Sequence, residues 1–354
     1  MGPASMERYA MIGPLDIAPA AHRRIAAWIG LLGVLAALAA SLPARSATTS
    51  TDDTPTLLIV VGAPGEADYA TNFVRQAARW EKVGEQAGAK RTTFGIGDAG
   101  TTNDIALLRS AIAAEPTEGT SALWIVLIGH GTYDGRDAKF NLRGPDLAAT
   151  DLALWLKPVH RPVAVIDTSS ASGPFLKPLS APGRVVVTAT RSGNEQSFAR
   201  FGGSLADAIA DPASDLDQDG QTSLLEAYLS ASAKVAEFYK TADRLATEHA
   251  LIDDNGDGLG TPADWFRGTR ATKKAKDGQA LDGLRARQLH LVRSPDERSM
   301  DPAVRSRCDE LERAIEKHRE ARPKMSDDEY YRGLEALLRE MARLRVAPAS
   351  DPER

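Results

Sequence analysis

Ser121-Ala-Leu-Trp-Ile-Val-Leu-Ile-Gly-His130-Gly131 decides how this 354-residue chain folds. Six of the eight residues from Ala122 to Gly129 are bulky and apolar. A run with no polar face suits a strand covered on both sides in a parallel sheet. It stops at Gly-His-Gly, which sets an imidazole at the strand's carboxyl end, the edge where open α/β sheets place their chemistry. A second run, Pro162-Val-Ala-Val-Ile-Asp167, follows the same plan and leads into Thr168-Ser-Ser-Ala-Ser-Gly173. One strand delivers a His and the next a serine-rich turn, the material for a nucleophile and its base.

Working outward, Leu57-Leu-Ile-Val-Val61 reads as the first strand, and Gly62-Ala-Pro-Gly65 after it lacks the Gly-Lys-Ser/Thr ending of a P-loop. A helix over 66–87, a short strand at Arg91–Phe94 and a helix over 102–113 precede the His-bearing strand. After it, a helix begins at Asp151-Leu-Ala-Leu-Trp-Leu156, with Asp151 or Thr150 as its cap. The serine-bearing strand, the β-branched run Arg184–Thr190 and a helix over Phe198–Ile209 complete the alternation. Strands alternating with helices predict a mostly parallel sheet.

Composition narrows the function. A formal charge of -5 offers no basic excess for nucleic acid, so no nucleic-acid partner is expected. The single Cys, Cys308, excludes an intrachain disulfide and a cysteine-based zinc site. Arg23-Arg24 before the apolar run Ile25–Ala40, followed by small residues, reads as an export signal, or an amino-terminal anchor if it is not cleaved. That places the protein in the periplasm or cell envelope. Any membrane contact runs only through an uncleaved segment at about residues 25–42.

The most specific motif is Asp215-Leu-Asp217-Gln-Asp219-Gly220-Gln221-Thr-Ser223-Leu-Leu-Glu226. It matches the twelve-position EF-hand loop at every diagnostic place and predicts Ca²⁺ as ligand. Asp215, Asp217 and Asp219 supply side-chain oxygens, Gly220 the sharp turn and Gln221 its carbonyl. Ser223 reaches the ion directly or through water, and Glu226 closes the site. Flanking helices are expected at 198–210 and 224–248. Asp253, Asn255, Asp257 and Asp264 repeat the pattern with a shorter closing acid, so an Asp/Asn/Gly-rich turn is the competing reading there.

Beyond residue 267 the chain turns charged and helical. Asp301-Pro302 opens one helix, which Pro323 ends. Ser326-Asp-Asp-Glu329 is a capping box for a second, with Leu334, Leu337, Leu338, Met341 and Leu344 on one face.

Ile128-Gly-His130-Gly131, Asn141-Leu-Arg-Gly144-Pro-Asp146-Leu and Val165-Ile-Asp167-Thr-Ser-Ser-Ala-Ser172-Gly173 together resemble the legumain-like (asparaginyl endopeptidase) peptidases of the caspase-like fold. The resemblance covers about residues 55–210. It implies a catalytic Cys where this chain has serine: counting back from Ser172-Gly173 gives Ser170, and counting forward from Asp167 gives Ser169. It also implies that His130 serves the nucleophile as base and that the N–H of Gly131 holds the oxyanion. No residue to orient His130 is legible; Asp167 is nearest by motif.

The resulting expectation is an α/β fold, a caspase-like mostly parallel sheet flanked by helices. An EF-hand-like helical segment and a carboxy-terminal helical hairpin follow it. The divisions are a signal or anchor over 1–47, a linker over 48–54, the α/β domain over 55–210, the calcium segment over 211–266 and the charged helical region over 267–354. Three functions compete: a pseudopeptidase that binds a peptide or protein ligand in its cleft, a working Ser-His hydrolase, and a structural calcium-binding envelope protein.

Overall fold

A computed structural model describes residues 53–97, 103–278 and 280–346. The expected signal or anchor over 1–47, and the linker up to residue 52, lie outside these residues. One seven-stranded sheet organises the described chain. Its strands are β1 (Thr56–Val61), β2 (Lys90–Phe94), β3 (Leu123–Ile128), β7 (Val163–Asp167), β8 (Arg184–Thr188), β9 (Leu251–Asp253) and β10 (Thr261–Pro262). They lie in the order β10-β9-β8-β7-β3-β1-β2. The five from β2 to β8 are parallel, and β9 and β10 join antiparallel. The chain is thus a mixed α/β protein with a mostly parallel sheet.

β3 is central and buried along its whole length, as an all-apolar run requires. Its side chains alternate between two cores, as the two-residue strand period dictates. Trp124, Val126 and Ile128 join Phe73, Ala77 and Trp80 of helix α1 (Ala67–Gln86) on one face. Leu123, Ile125 and Leu127 meet Leu108 and Ile112 of α2 (Asp104–Ala114) and Leu152 of α3 (Ala149–Trp155) on the other. Helices α4 (Phe201–Ala208) and α5 (Leu224–Thr241) pack into the first core. A small antiparallel sheet of β4 (Gly131–Tyr133), β5 (Ala138–Phe140) and β6 (Leu147–Ala148) grows from the loop after β3. Among the described residues, no helix is long and apolar enough to cross a membrane.

Several boundaries differ from the sequence reading. The sheet does not stop near residue 210, because β9 and β10 extend its edge and α5 belongs to its core. The 211–266 segment is therefore part of the α/β unit. Neither Asp151 nor Thr150 caps α3; the N-cap position is Ala148, which has no capping side chain, since β6 runs directly into the helix, and Asp151 sits in the first turn at its positive end. α4 starts at Phe201 rather than Phe198. There the buried carboxylate of Glu248 accepts the N–H groups of Arg200 and Phe201, acting as a cap from distant sequence. α5 ends at Thr241, seven residues before the expected 248, because Asp243 takes a left-handed φ of 51°.

The carboxy-terminal hairpin is α6 (Pro302–Ala321) and α7 (Asp327–Val346). Asp301 caps the first through Ala303 and Val304, and the Ser326/Glu329 box opens the second. The apolar residues of α7 do not share one environment: Leu338 is 46% exposed, whereas Tyr330 on the α6 side is buried.

Candidate functional site

β3 and β7 are neighbours in register, so their carboxyl ends bring the His and Ser stretches together. Gly131 starts β4 and is pressed against the serine turn. A Cβ there would fall 2.2 Å from the Ser170 carbonyl oxygen and 3.0 Å from Ser169 Oγ, so glycine is required by space. The turn is held from below. The Thr168 N–H and hydroxyl both donate to the Leu127 carbonyl, and Ala171, at a left-handed φ of 54°, donates its N–H to the Glu195 carbonyl. A non-glycine residue in that region persists only where its surroundings enforce it.

The two candidate serines have different partners. Ser169 is fully buried, and Oδ1 of Asp167 accepts both its hydroxyl (2.6 Å) and its N–H (3.0 Å). Ser170 Oγ accepts the N–H of Gly131 at 3.3 Å and lies 3.4 Å from the Gly131 carbonyl, to which it donates. Both serines lie against Gly131, and Ser170 is the one hydrogen-bonded to it. Asp167 is wholly buried, and its Oδ2 has no hydrogen-bond partner. Burial pushes its pKa up to about 6 against the two bonds from Ser169.

His130 sits half-buried between aromatic rings. Tyr69 meets it edge-on at 4.6 Å between centroids and Phe73 at 5.1 Å. Burial lowers its pKa, opposed by a hydrogen bond to the Pro64 carbonyl and by the charge of Glu66, so the neutral imidazole is favoured. The sequence reading missed the Pro64 carbonyl beside His130; a backbone acceptor leaves no side-chain signature. Glu195 was also missed. Its carboxylate takes His249 Nδ1 at 2.6 Å and the N–H of Arg191, while its carbonyl steadies the serine turn.

In the first acidic loop the ligand atoms of Asp215, Asp217 and Asp219 lie within 4.8 Å of one another. Asp215 accepts the N–H groups of Asp219 and Gly220, which winds the loop around its first residue. The pKa of Asp217 is raised by burial and then by the charges of Glu226, Asp219 and Asp215, the field a cation would relieve. Glu226 Oε1 accepts the N–H of Leu216 and of Asp217, and Oε2 accepts the N–H and hydroxyl of Ser223. Gln221 turns its side-chain oxygen to the N–H of Ser294.

The second loop repeats this scheme with one exchange. Asp253 accepts Gly256 and Gly258 N–H, and Asn255 and Asp257 accept the N–H two residues on. The closing place belongs to Asp282 rather than Asp264. Asp282 Oδ1 accepts the N–H of Asp254 and Asn255, and Oδ2 accepts the Thr261 hydroxyl, the same loop positions that Glu226 holds in the first loop. Asp264 is exposed in a 3-10 turn that follows β10 directly. Asp282 is pushed well up in pKa by burial and by the adjacent Asp254. Among the described residues no second acidic trio converges as the first does.

No protein-family model matches this chain, and no curated protein matches it. Among solved structures it is similar to the Drosophila initiator caspase Dronc, at 15% identity and a TM-score of 0.41 over 60% of this chain and 84% of that one. It is also similar to caspase-1 from Spodoptera frugiperda, at 11% identity and a TM-score of 0.38 over 57% and 87% of the two chains. A third is drICE, at 11% identity and a TM-score of 0.37 over 58% and 90%.

Proposed function

We propose that this chain is an exported, calcium-binding, legumain-like peptidase homologue of the caspase type that holds a peptide or protein segment beside Gly131 without cleaving it. The observation that carries this reading is the setting of Ser170. Its hydroxyl occupies the Gly131 N–H, the donor an oxyanion would need, and gives its proton to the Gly131 carbonyl rather than to His130. A serine hydroxyl becomes a nucleophile only when an aligned base removes its proton during attack, whereas a thiol ionises readily. The legumain-like motif with serine for cysteine supports the same conclusion.

One observation favours the alternative of a Ser-His hydrolase: burial holds the His130 imidazole below its ordinary pKa, in the neutral state a base needs. A fluorophosphonate probe separates the two. The binding reading predicts no labelling of the wild type; labelling that disappears in both Ser170→Ala and His130→Ala would establish a hydrolase.

For the acidic loop we propose Ca²⁺. Carboxylates of Asp215, Asp217 and Asp219 are the hard oxygen donors such a cation selects, and the Gln221 carbonyl, Ser223 and Glu226 complete the set. Glu226 would exchange its backbone partners for the ion. The second loop, with Asp253, Asn255 and Asp257, has Asp282 placed to do the same. Isothermal titration should detect Ca²⁺ binding that Glu226→Gln weakens, and no heat with wild type would refute it.

A further inference from the structure

Among the described residues, nothing covers one side of α7 in the carboxy-terminal hairpin. The side facing α6 is fully engaged: Tyr330 stacks on His318, a Cβ at Gly333 would strike the same ring, and Glu340 pairs with Arg307. On the far side Tyr331, Leu334, Leu338 and Ala342 recur every three or four residues and form one apolar stripe. Tyr331 is 57% exposed and Leu338 46%. The stripe opens beside Asp327 and Asp328 and closes beside Arg345, although Asp327 already pairs with Arg322 and Arg345 with Glu312 of α6. Its middle is flanked by Glu335 and Arg339, themselves paired at 2.6 Å.

This order of size and charge is complementary to itself when reversed. In a two-fold contact, residue i of one copy meets j of the other, and j meets i. Let two α7 helices lie antiparallel with the axis between Leu334 and Leu338. The two leucines of each copy then cover those of the other, and the large Tyr331 ring falls beside the small Ala342. Each Glu335 comes next to Arg339 of the second copy, so the two intrahelical pairs merge into a ring of four alternating charges. The acidic first turn runs along the basic last turn, where Asp328 and Arg343 add to the already paired Asp327 and Arg345, and the helix dipoles oppose one another. A parallel pair would instead set acid against acid and base against base. A membrane surface would favour a uniformly basic border, which this stripe lacks.

We propose that the α7 stripe is a docking surface for a second copy of this chain, forming an antiparallel two-fold dimer through Tyr331, Leu334, Leu338 and Ala342. A helix of this length spans about 30 Å, so the contact is smaller than the roughly 1,200 Å² of a standard interface and belongs with the weak, reversible ones. Sedimentation velocity of the full chain across a micromolar concentration series tests it. The wild type should shift from monomer to dimer, and Leu338→Glu should stay monomeric with unchanged helical circular dichroism. Glu335→Arg should weaken the dimer by about tenfold or more. The double exchange Glu335→Arg with Arg339→Glu should restore it to within a few-fold. A wild type that stays monomeric overturns the proposal. So does a dimer indifferent to Leu338→Glu, which would assign association to another surface such as the amino-terminal apolar run, and so does a double exchange no better than the single one.

Discussion

At the scale of single residues, Asp167 is the most exposed to test. It is an acid whose folded pKa, about 6, lies above its unfolded value, so the folded state holds the proton longer. Stability should therefore fall as pH rises between about 4 and 6 and level off above that. The penalty for ionising it at neutral pH is on the order of 3 kcal/mol. Asp167→Asn keeps an oxygen for Ser169 and should flatten that part of the profile, read from urea midpoints against the wild type. Gly131→Ala should cost on the order of 1–3 kcal/mol, because its methyl would meet the Ser170 carbonyl oxygen, which is backbone and cannot rotate away. Of these residues His130, Gly131 and the serines were legible, since side-chain identity at a strand end carries the signal. Which serine bonds to Gly131 was not, because a one-residue change in turn length reverses the count and only the hydrogen bonds of Asp167 and Gly131 separate the two. The Pro64 carbonyl beside His130 was hidden for a simpler reason: any residue can present a carbonyl.

At the scale of elements, buried strands announce themselves and edges do not. β3 is apolar throughout and β7 is apolar up to Asp167, and both were placed from sequence alone. β9 and β10 were not, because Leu251–Asp253 and Thr261–Pro262 are too short for a periodic signal and looked like the rims of an acidic loop. The same shortness hid Asp282, which reaches the second loop from outside its twelve positions. The capping box of α5 ties an element to the first loop, since Ser223 and Glu226 serve both. Ser223→Ala should lower stability by about 1 kcal/mol even in chelator, by loss of the cap, as measured by denaturant unfolding. Asp217→Asn should act in two directions. Without Ca²⁺ it should raise the melting temperature by removing one of four crowded carboxylates; with Ca²⁺ it should reduce the gain. Equal gains in wild type and variant would separate Asp217 from the ion.

At the scale of the whole molecule, the sheet joins two sets of features that the sequence presents as separate domains. The serine turn sits at the end of β7, and the second acidic loop grows from β9 on the same sheet, with Asp253 also accepting the Ser180 hydroxyl. The first loop leads into α5, which packs against that sheet. Calcium at the first loop should therefore raise the unfolding temperature of the whole α/β unit in one transition, because a ligand of the folded state stabilises everything that unfolds with it. On the proposed reading, Ser170 fills the place of the legumain-like thiol, and a thiol restored there would be within reach of His130. The most direct measurement is the alkylation rate of the thiol introduced by Ser170→Cys or by Ser169→Cys, each in a Cys308→Ser background. The Ser170→Cys thiol should react rapidly at neutral pH and slow markedly when His130→Ala is added, while the Ser169→Cys thiol stays protected. A Ser170→Cys thiol indifferent to His130, or a faster Ser169→Cys thiol, would contradict the account.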